Sequence, residues 1–235
     1  MEKTKVIVAM SGGVDSSTAA AMLLEEGYDV AGLTLILSGN DKKAADFTAS
    51  VKEVSDKLAI DLNVLDLRQK FDEKVIGDFI RSYEQGKTPN PCVVCNKKIK
   101  FGSMLKEATG LGASYLATGH YAKIHRSDSY FHLHKGVDIT KDQSYFLYLL
   151  NQEQLSKVLF PLGQYKKEEI RAMARDYKIP SADRDESQDL CFISDGNYRN
   201  FFLEHTNIEH KKGPIKNMQG KVLGEHKGLF NYTVG

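Results

Sequence analysis

KVIVAMSGGVDSSTAAAMLLEEG, from Lys5 to Gly27, decides the architecture. Lys5 to Met10 is short and rich in valine and isoleucine, the composition of a strand buried on both faces of a parallel sheet. Ser17 to Glu26 is built from strong helix formers with apolar spacing, and Gly27 marks the stop. Ser11 to Ser17 is the turn between them. A turn that feeds a parallel strand into a helix aims backbone N–H groups and the helix N-terminus at an anion. Gly12 and Gly13 let a phosphate approach the backbone, since they carry no Cβ. Ser11, Ser16 and Ser17 add hydroxyl donors. The stretch lacks the GK[ST] ending of a Walker A loop and does not read GxGxxG. A plain connecting turn is the alternative, and the paired serines and the aspartate speak against it.

Working outward, Tyr28–Leu37 reads as a strand, Ala44–Leu58 as a helix and Leu62–Leu67 as a strand. Phe71–Glu84 and Ser103–Leu111 read as helices, and Tyr115–Thr118 as a short strand that ends at Gly119–His120. This alternation predicts an α/β fold, an open parallel sheet with helices on both faces. Ala122–Lys135 alternates as a hairpin would, turning at Arg126–Ser129. Gln143–Leu150, Gln152–Val158, Lys166–Asp176 and Tyr198–His205 look helical, and a polar loop runs from Pro180 to Asp189. From Lys211 the chain is glycine-rich with short strand-like pieces. The division expected is a catalytic α/β domain over 1–210 and the beginning of a small β-rich domain, or a tail, over 211–235.

Of 235 residues, 41% are hydrophobic and 27% charged, an ordinary globular balance. The net charge of +1 gives no overall field that selects nucleic acid or membrane. Basic residues are nonetheless clustered, at Lys97, Lys98 and Lys100, at Lys166, Lys167, Arg171 and Arg175, and at Lys211, Lys212 and Lys216. No run approaches the roughly 18 apolar residues of a membrane span. The start is too short in apolar residues for a signal peptide. The expected compartment is the cytoplasm, where thiols stay reduced. Cys92, Cys95 and Cys191 are then no disulfide framework. The residues alone leave several roles open: core packing, reactive sulfur, or ligands, with C-x-x-C on one metal and His120 as a fourth ligand for zinc.

SGGVDSS resembles the pyrophosphate loop of the N-type ATP pyrophosphatases. The ordered blocks GKTPNPCVVCNKKIKFG, ATGHYAKI, KDQSYFLYLL, FPLGQYKKEEIR, ESQDLCFI and GEHKGLFNYTVG are similar to those of the tRNA-specific 2-thiouridylases. The resemblance implies an adenine nucleotide alpha-hydrolase-like fold and sulfur transfer to C2 of the wobble uridine of tRNA. ATP, with Mg2+, would sit on Met10, Ser11, Gly12, Gly13, Val14, Asp15, Ser16 and Ser17, with Leu35 and Gly119 at the adenine nucleotide. Asn90, Pro91 and Cys92 would lie beside the flipped base and His120 near it, and Lys141, Asp142 and Gln143 would touch the tRNA. The uridine O2 would attack the α-phosphate, releasing pyrophosphate. Cys191 would accept a persulfide from a sulfur donor protein, a persulfide relay or a cysteine desulfurase. Cys95 would then attack to release sulfide or form a disulfide, its pKa lowered by Lys97, Lys98 and Lys100.

Cys92 departs from the pattern, since many relatives carry aspartate there. It implies either a variant acid/base or redox thiol, or a 4Fe–4S cluster held by Cys92, Cys95 and Cys191. A cluster-dependent tRNA thiolase and a non-catalytic sulfur-carrier or tRNA-binding module are the rival readings. Family members usually continue past YTVG into a fuller central domain and a β-barrel, so this chain is expected to lack most of the C-terminal region.

Overall fold

The computed structural model describes residues 3–183, 190–193, 197–205 and 211–233. Strand β1 (Lys5–Ala9) is followed by helix α1 (Val14–Glu25), β2 (Asp29–Ile36), α2 (Asp41–Lys57) and β3 (Leu62–Asp66). Two long helical runs come next. Arg68–Phe71, Asp72–Ile76 and Gly77–Glu84 follow without a break, as do Pro91–Cys95, Asn96–Met104 and Leu105–Gly110, the middle piece of each wound more widely as π-helix. Strand β4 (Tyr115–Ala117) precedes a hairpin of β5 (Ala122–Ser127) and β6 (Tyr130–Lys135), and β7 is Val158–Leu159. The sheet order is β3-β2-β1-β4-β7, and every neighbouring pair is parallel.

Side chains of a strand point alternately to the two faces, and here both faces are covered. Val6 and Val8 of β1 pack with Ala20 and Leu23 of α1 and Val51 and Val54 of α2. Ile7, between them, packs on the opposite side with Phe101, Met104 and Leu105 of the 91–110 helix. This explains why β1 reads as an unbroken apolar run rather than an alternating one. It also fixes the turn after β1 at the carboxyl edge of the sheet, where ligands of open α/β folds bind.

Three expectations change. Residues 91–95, which carried no element in the sequence reading, form a helix: Asn90 Oδ1 accepts from Cys92 N at 3.1 Å and Val93 N at 3.4 Å, and Pro91 occupies the first turn. The helix expected over Gln143–Leu150 is only the 3-10 turn Ser144–Leu147. The one expected over Gln152–Val158 stops at Leu155, and Val158 and Leu159 pair with Leu116 and Ala117 as the edge strand β7. Apolar residues at helical spacing were recruited by the open edge of β4, a pairing that no local pattern announces.

The hairpin turns at Asp128 (φ 51°), within the expected stretch. Near the end, β8 (Gly213–Lys216) and β9 (Val222–His226) make an antiparallel pair. Residues 184–189 of the expected polar loop and 206–210, where the domain division was expected, lie outside the described residues. Among the described residues no helix is long and apolar enough to cross a membrane.

Candidate active site

The turn after β1 is held open by its own side chains. Ser11 N donates to Ser16 Oγ at 3.1 Å, the Ser11 and Ser16 hydroxyls lie 3.2 Å apart, and Ser17 Oγ donates to Gly13 O at 2.9 Å. Gly12 has φ +72°, which side-chain-bearing residues rarely adopt. Gly13 occupies the N-cap of α1 with no side-chain cap, so the first N–H groups of α1 have no capping side chain. Met10 is buried and donates its N–H to Leu33 O at 2.9 Å, and Val14 packs against Ala174, Ile179 and Ala182. The result is a cradle-shaped turn whose backbone is fixed in advance, with the uncapped N-terminus of α1 suited to an anion.

Gly119 closes that cradle from β4. A Cβ there would stand 2.9 Å from both the carbonyl carbon of Asp15 and the nitrogen of Ser16. Only glycine permits this approach of two backbones. Leu35, half-buried on β2, packs against the core cluster on the Phe101 side.

Asp15 is engaged on both oxygens. Lys167 Nζ donates to Oδ1 and Oδ2 at 2.8 Å each, and Tyr121 OH donates to Oδ1 at 2.8 Å. The Lys167 side chain is 8% exposed and that of Asp15 30%. Lys167 N donates to Asp138 Oδ2 at 3.0 Å. The Thr140 hydroxyl, with that backbone N–H, holds Asp138 below the ordinary carboxylate pKa. So Asp15 is tied to Tyr121, just before the hairpin, and to the Lys167–Asp176 helix, while part of its side chain stays open to solvent. Neither Lys167 nor Tyr121 was singled out for this role from the sequence, because nothing local links them to Asp15.

His120 is 8% exposed and packs between Phe101 and Phe160, with Nδ1 2.6 Å from Thr118 Oγ1. Burial, with the charge of Lys100, drives its pKa well below the usual value, so the ring is neutral. Asp142 and Gln143 act as fasteners. Asp142 Oδ1 accepts from Gly136 N at 2.8 Å and Oδ2 from Ser144 Oγ at 2.8 Å. Tyr121 N donates to Gln143 Oε1 at 3.0 Å, and Gln143 N donates back to Tyr121 O at 2.9 Å. Lys141, half-buried beside them, donates its N–H to Asp138 O at 3.1 Å.

Cys95 is 8% exposed, in a cluster with Phe71, Val75 and Ile99. Cys92 and Cys191 are exposed. Phe192, next to Cys191, packs into the cluster of Cys95 and meets Phe71 at 5.9 Å between centroids. Thiols distant in sequence thereby share one neighbourhood. The expected depression of thiol pKa is reversed. Burial pushes Cys95 up to about 11 and also raises Cys92 and Cys191, whose surroundings crowd them although their surfaces are open. Of the three lysines, Lys100 is the one whose charge opposes the rise. Desolvation of a thiolate in an apolar cluster outweighs a cation at a distance.

Two family models match, described as a tRNA methyl transferase HUP domain over residues 4–195 and a tRNA methyl transferase PRC-barrel domain over residues 200–235. The tRNA-specific 2-thiouridylase MnmA of Syntrophomonas wolfei is 48% identical over 233 residues, 98% of this chain and 67% of that protein. This chain belongs to the tRNA-specific 2-thiouridylase family. The model descriptions speak of methyl transfer, but relatives that match nearly the whole chain carry the thiouridylase name, among them one from Leptospira interrogans at 44% identity over 245 residues, 100% of this chain and 65% of that protein. A U34-tRNA thiolase structure from Methanococcus maripaludis, with its [4Fe-4S] cluster, matches at TM-score 0.50 and 17% identity, covering 99% of this chain and 82% of that one. That likeness is one of fold. In this 2-thiouridylase-family chain, no group of three His, Cys, Asp or Glu among the described residues is placed to hold a metal ion.

Proposed function

We propose that this chain uses ATP to replace the C2 oxygen of the wobble uridine of tRNA by sulfur. The observation that carries the reading is the common neighbourhood of Cys95 and Cys191, joined through Phe192, in a chain that also has the phosphate cradle. ATP binds with its phosphates toward the turn Ser11 to Ser17, at the uncapped first N–H groups of α1, and Gly119 lets β4 close on the backbone of that turn. Fixed donors stabilise the charge that develops on departing pyrophosphate, with no reorganisation at the moment of reaction. The uridine O2 attacks the α-phosphate and pyrophosphate leaves. Magnesium enters with the triphosphate as part of the substrate; Asp15, engaged by Lys167 and Tyr121, orients the loop.

Sulfur arrives as a persulfide on the exposed Cys191, which a donor protein can reach. The Cys95 thiol attacks the inner sulfur; a Cys95–Cys191 disulfide forms and sulfide is released. Sulfide attacks C2, AMP departs, and an external thiol reductant restores the two cysteines. Cys95 must lose a proton to attack, and Lys100 favours that loss. Cys92, exposed one helical turn before Cys95, is a supporting thiol at the edge of this site. Asn90 and Pro91 set the start of that helix, and the hydrogen bonds of Asp142 and Gln143 brace the segment Lys141 to Gln143 that touches the tRNA in this reading.

A cluster on Cys92, Cys95 and Cys191 has less support, because Cys95 points into an apolar cluster and the three thiols are not gathered as ligands. Cys191→Ser should still adenylate tRNA and release pyrophosphate but form no 2-thiouridine. A Cys191→Ser protein that thiolates would refute the persulfide route. Anaerobically prepared protein that thiolates only when it carries iron, with oxygen-sensitive visible absorbance, would establish the cluster instead.

A further inference from the structure

The segment KDQSYFLYLL holds two large aromatic side chains outward on a backbone fastened from several sides. Asp142 ties it to Gly136 and Ser144, and Gln143 exchanges two hydrogen bonds with Tyr121. Asn96 Nδ2 donates to Phe146 O at 3.0 Å, and Leu147 is fully buried beneath. Yet Tyr145 and Tyr148 stay 64% and 58% exposed. Their ring centroids are 5.7 Å apart, with planes inclined by 37°. Aromatic rings of this size ordinarily gain from burial. A rigid turn that presents a pair of them to water offers π faces and phenolic oxygens to a ligand.

The neighbourhood says which ligand. Asn96, the residue that anchors this turn, directly follows Cys95 on the helix that carries both thiols of the CVVC stretch. Lys97 and Lys98 come next and are exposed. Exposed paired aromatic faces, on a turn anchored to a helix that carries exposed lysines, suit single-stranded nucleic acid, whose bases stack while phosphates take the charge.

We infer that Tyr145 and Tyr148 form a stacking platform for the nucleotides that flank the target uridine in the anticodon loop. The inference rests on the thiolation reading above. A base lifted out of its stack leaves its neighbours without a stacking partner. Two rings fixed next to the cysteine helix take that partner's place and hold the loop in register with the thiols.

Fluorescence anisotropy of a labelled anticodon stem–loop RNA, titrated with the full chain at several salt concentrations, tests it. Tyr145→Ala and Tyr148→Ala should each weaken binding about tenfold or more, at unchanged salt slope, because stacking is not ionic. Tyr145→Phe and Tyr148→Phe should bind as the parent does, and all four should melt as it does. Lys97→Ala should instead lower the salt slope. Parent-like affinity of the alanine variants overturns the platform, while pyrophosphate release with tRNA would leave the thiolation reading standing. Equal losses on a blunt RNA duplex overturn it as well. A parent that binds no stem–loop and releases no pyrophosphate overturns both. If the parent self-associates, and Tyr148→Ala abolishes this with RNA affinity unchanged, the face is one for a second copy and the inference fails.

Discussion

Lys167→Met is the substitution that bears hardest on the phosphate loop. It removes two 2.8 Å hydrogen bonds to Asp15 and leaves a carboxylate whose side chain is 30% exposed beside an apolar thioether. Breaking a buried pair by deleting one partner costs about 3–5 kcal/mol when the remaining charge is fully buried. Water can reach part of Asp15, and Tyr121 OH still donates to it. About 2–3 kcal/mol is therefore the expected loss of stability. For a chain of this size that corresponds to roughly 5–10 °C in Tm, at about 2–4 °C per kcal/mol. Asp15→Asn should cost at least as much, since the charge it strands is the Lys167 ammonium, whose side chain is only 8% exposed. The double variant should be more stable than the sum of the singles predicts, by about 1–2 kcal/mol, the mark of a direct interaction.

The functional readout separates loop placement from general loosening. With Asp15 released, the serine and backbone donors are no longer held in one arrangement, so pyrophosphate release should show a raised KM for ATP at temperatures well below the melt. Lys167→Arg should recover part of the stability and less of the KM, because a planar guanidinium does not reproduce a point charge at two equal distances. The assays are thermal melting, urea unfolding and pyrophosphate release against ATP concentration. A Lys167→Met protein within about 0.5 kcal/mol of the parent, with unchanged KM, would refute this account of Asp15.

Further expectations follow from single contacts. Gly119→Ala pushes a methyl to 2.9 Å from the backbone of Asp15 and Ser16, so β4 or α1 must shift; ATP-dependent pyrophosphate release should fall at least tenfold, and retained activity would mean that the gap is compliant. His120 is neutral when folded and its pKa is depressed, so the unfolded chain binds the extra proton as pH falls below about 6.5; stability should drop by up to about 1.4 kcal/mol per pH unit below that value, and His120→Gln should flatten the slope. A thiol-alkylating reagent at pH 7.5 should label Cys92 and Cys191 well before Cys95, which burial both covers and holds near pKa 11; mass spectrometry of the digested protein reads the order, and early labelling of Cys95 would contradict its placement.

The sequence by itself determined the strand–turn–helix opening and the parallel alternation that follows. These are written in short-range patterns: an apolar run, glycines that open a turn, helix formers after it. It also carried the family, because six ordered blocks survive in the linear chain. Asn90 as a helix cap was legible in kind, since an asparagine before proline is a common start signal, though the helix it begins went unread. The edge strand Val158–Leu159 was not legible, because its pairing with β4 comes from a sheet edge assembled out of distant segments.

The site divides in the same way. The cradle at Ser11–Ser17 is local, so it could be read; the engagement of Asp15 by Lys167 and Tyr121 joins three separate elements, so it could not. Lysines near Cys95 in the chain suggested a depressed pKa, but a thiol's pKa follows its surroundings in space, and packing against Phe71, Val75 and Ile99 raises it. What only the tertiary structure decided is which groups share water and which share the core. Spacing along a chain fixes neither, because desolvation and ion pairing depend on the atoms that folding brings together.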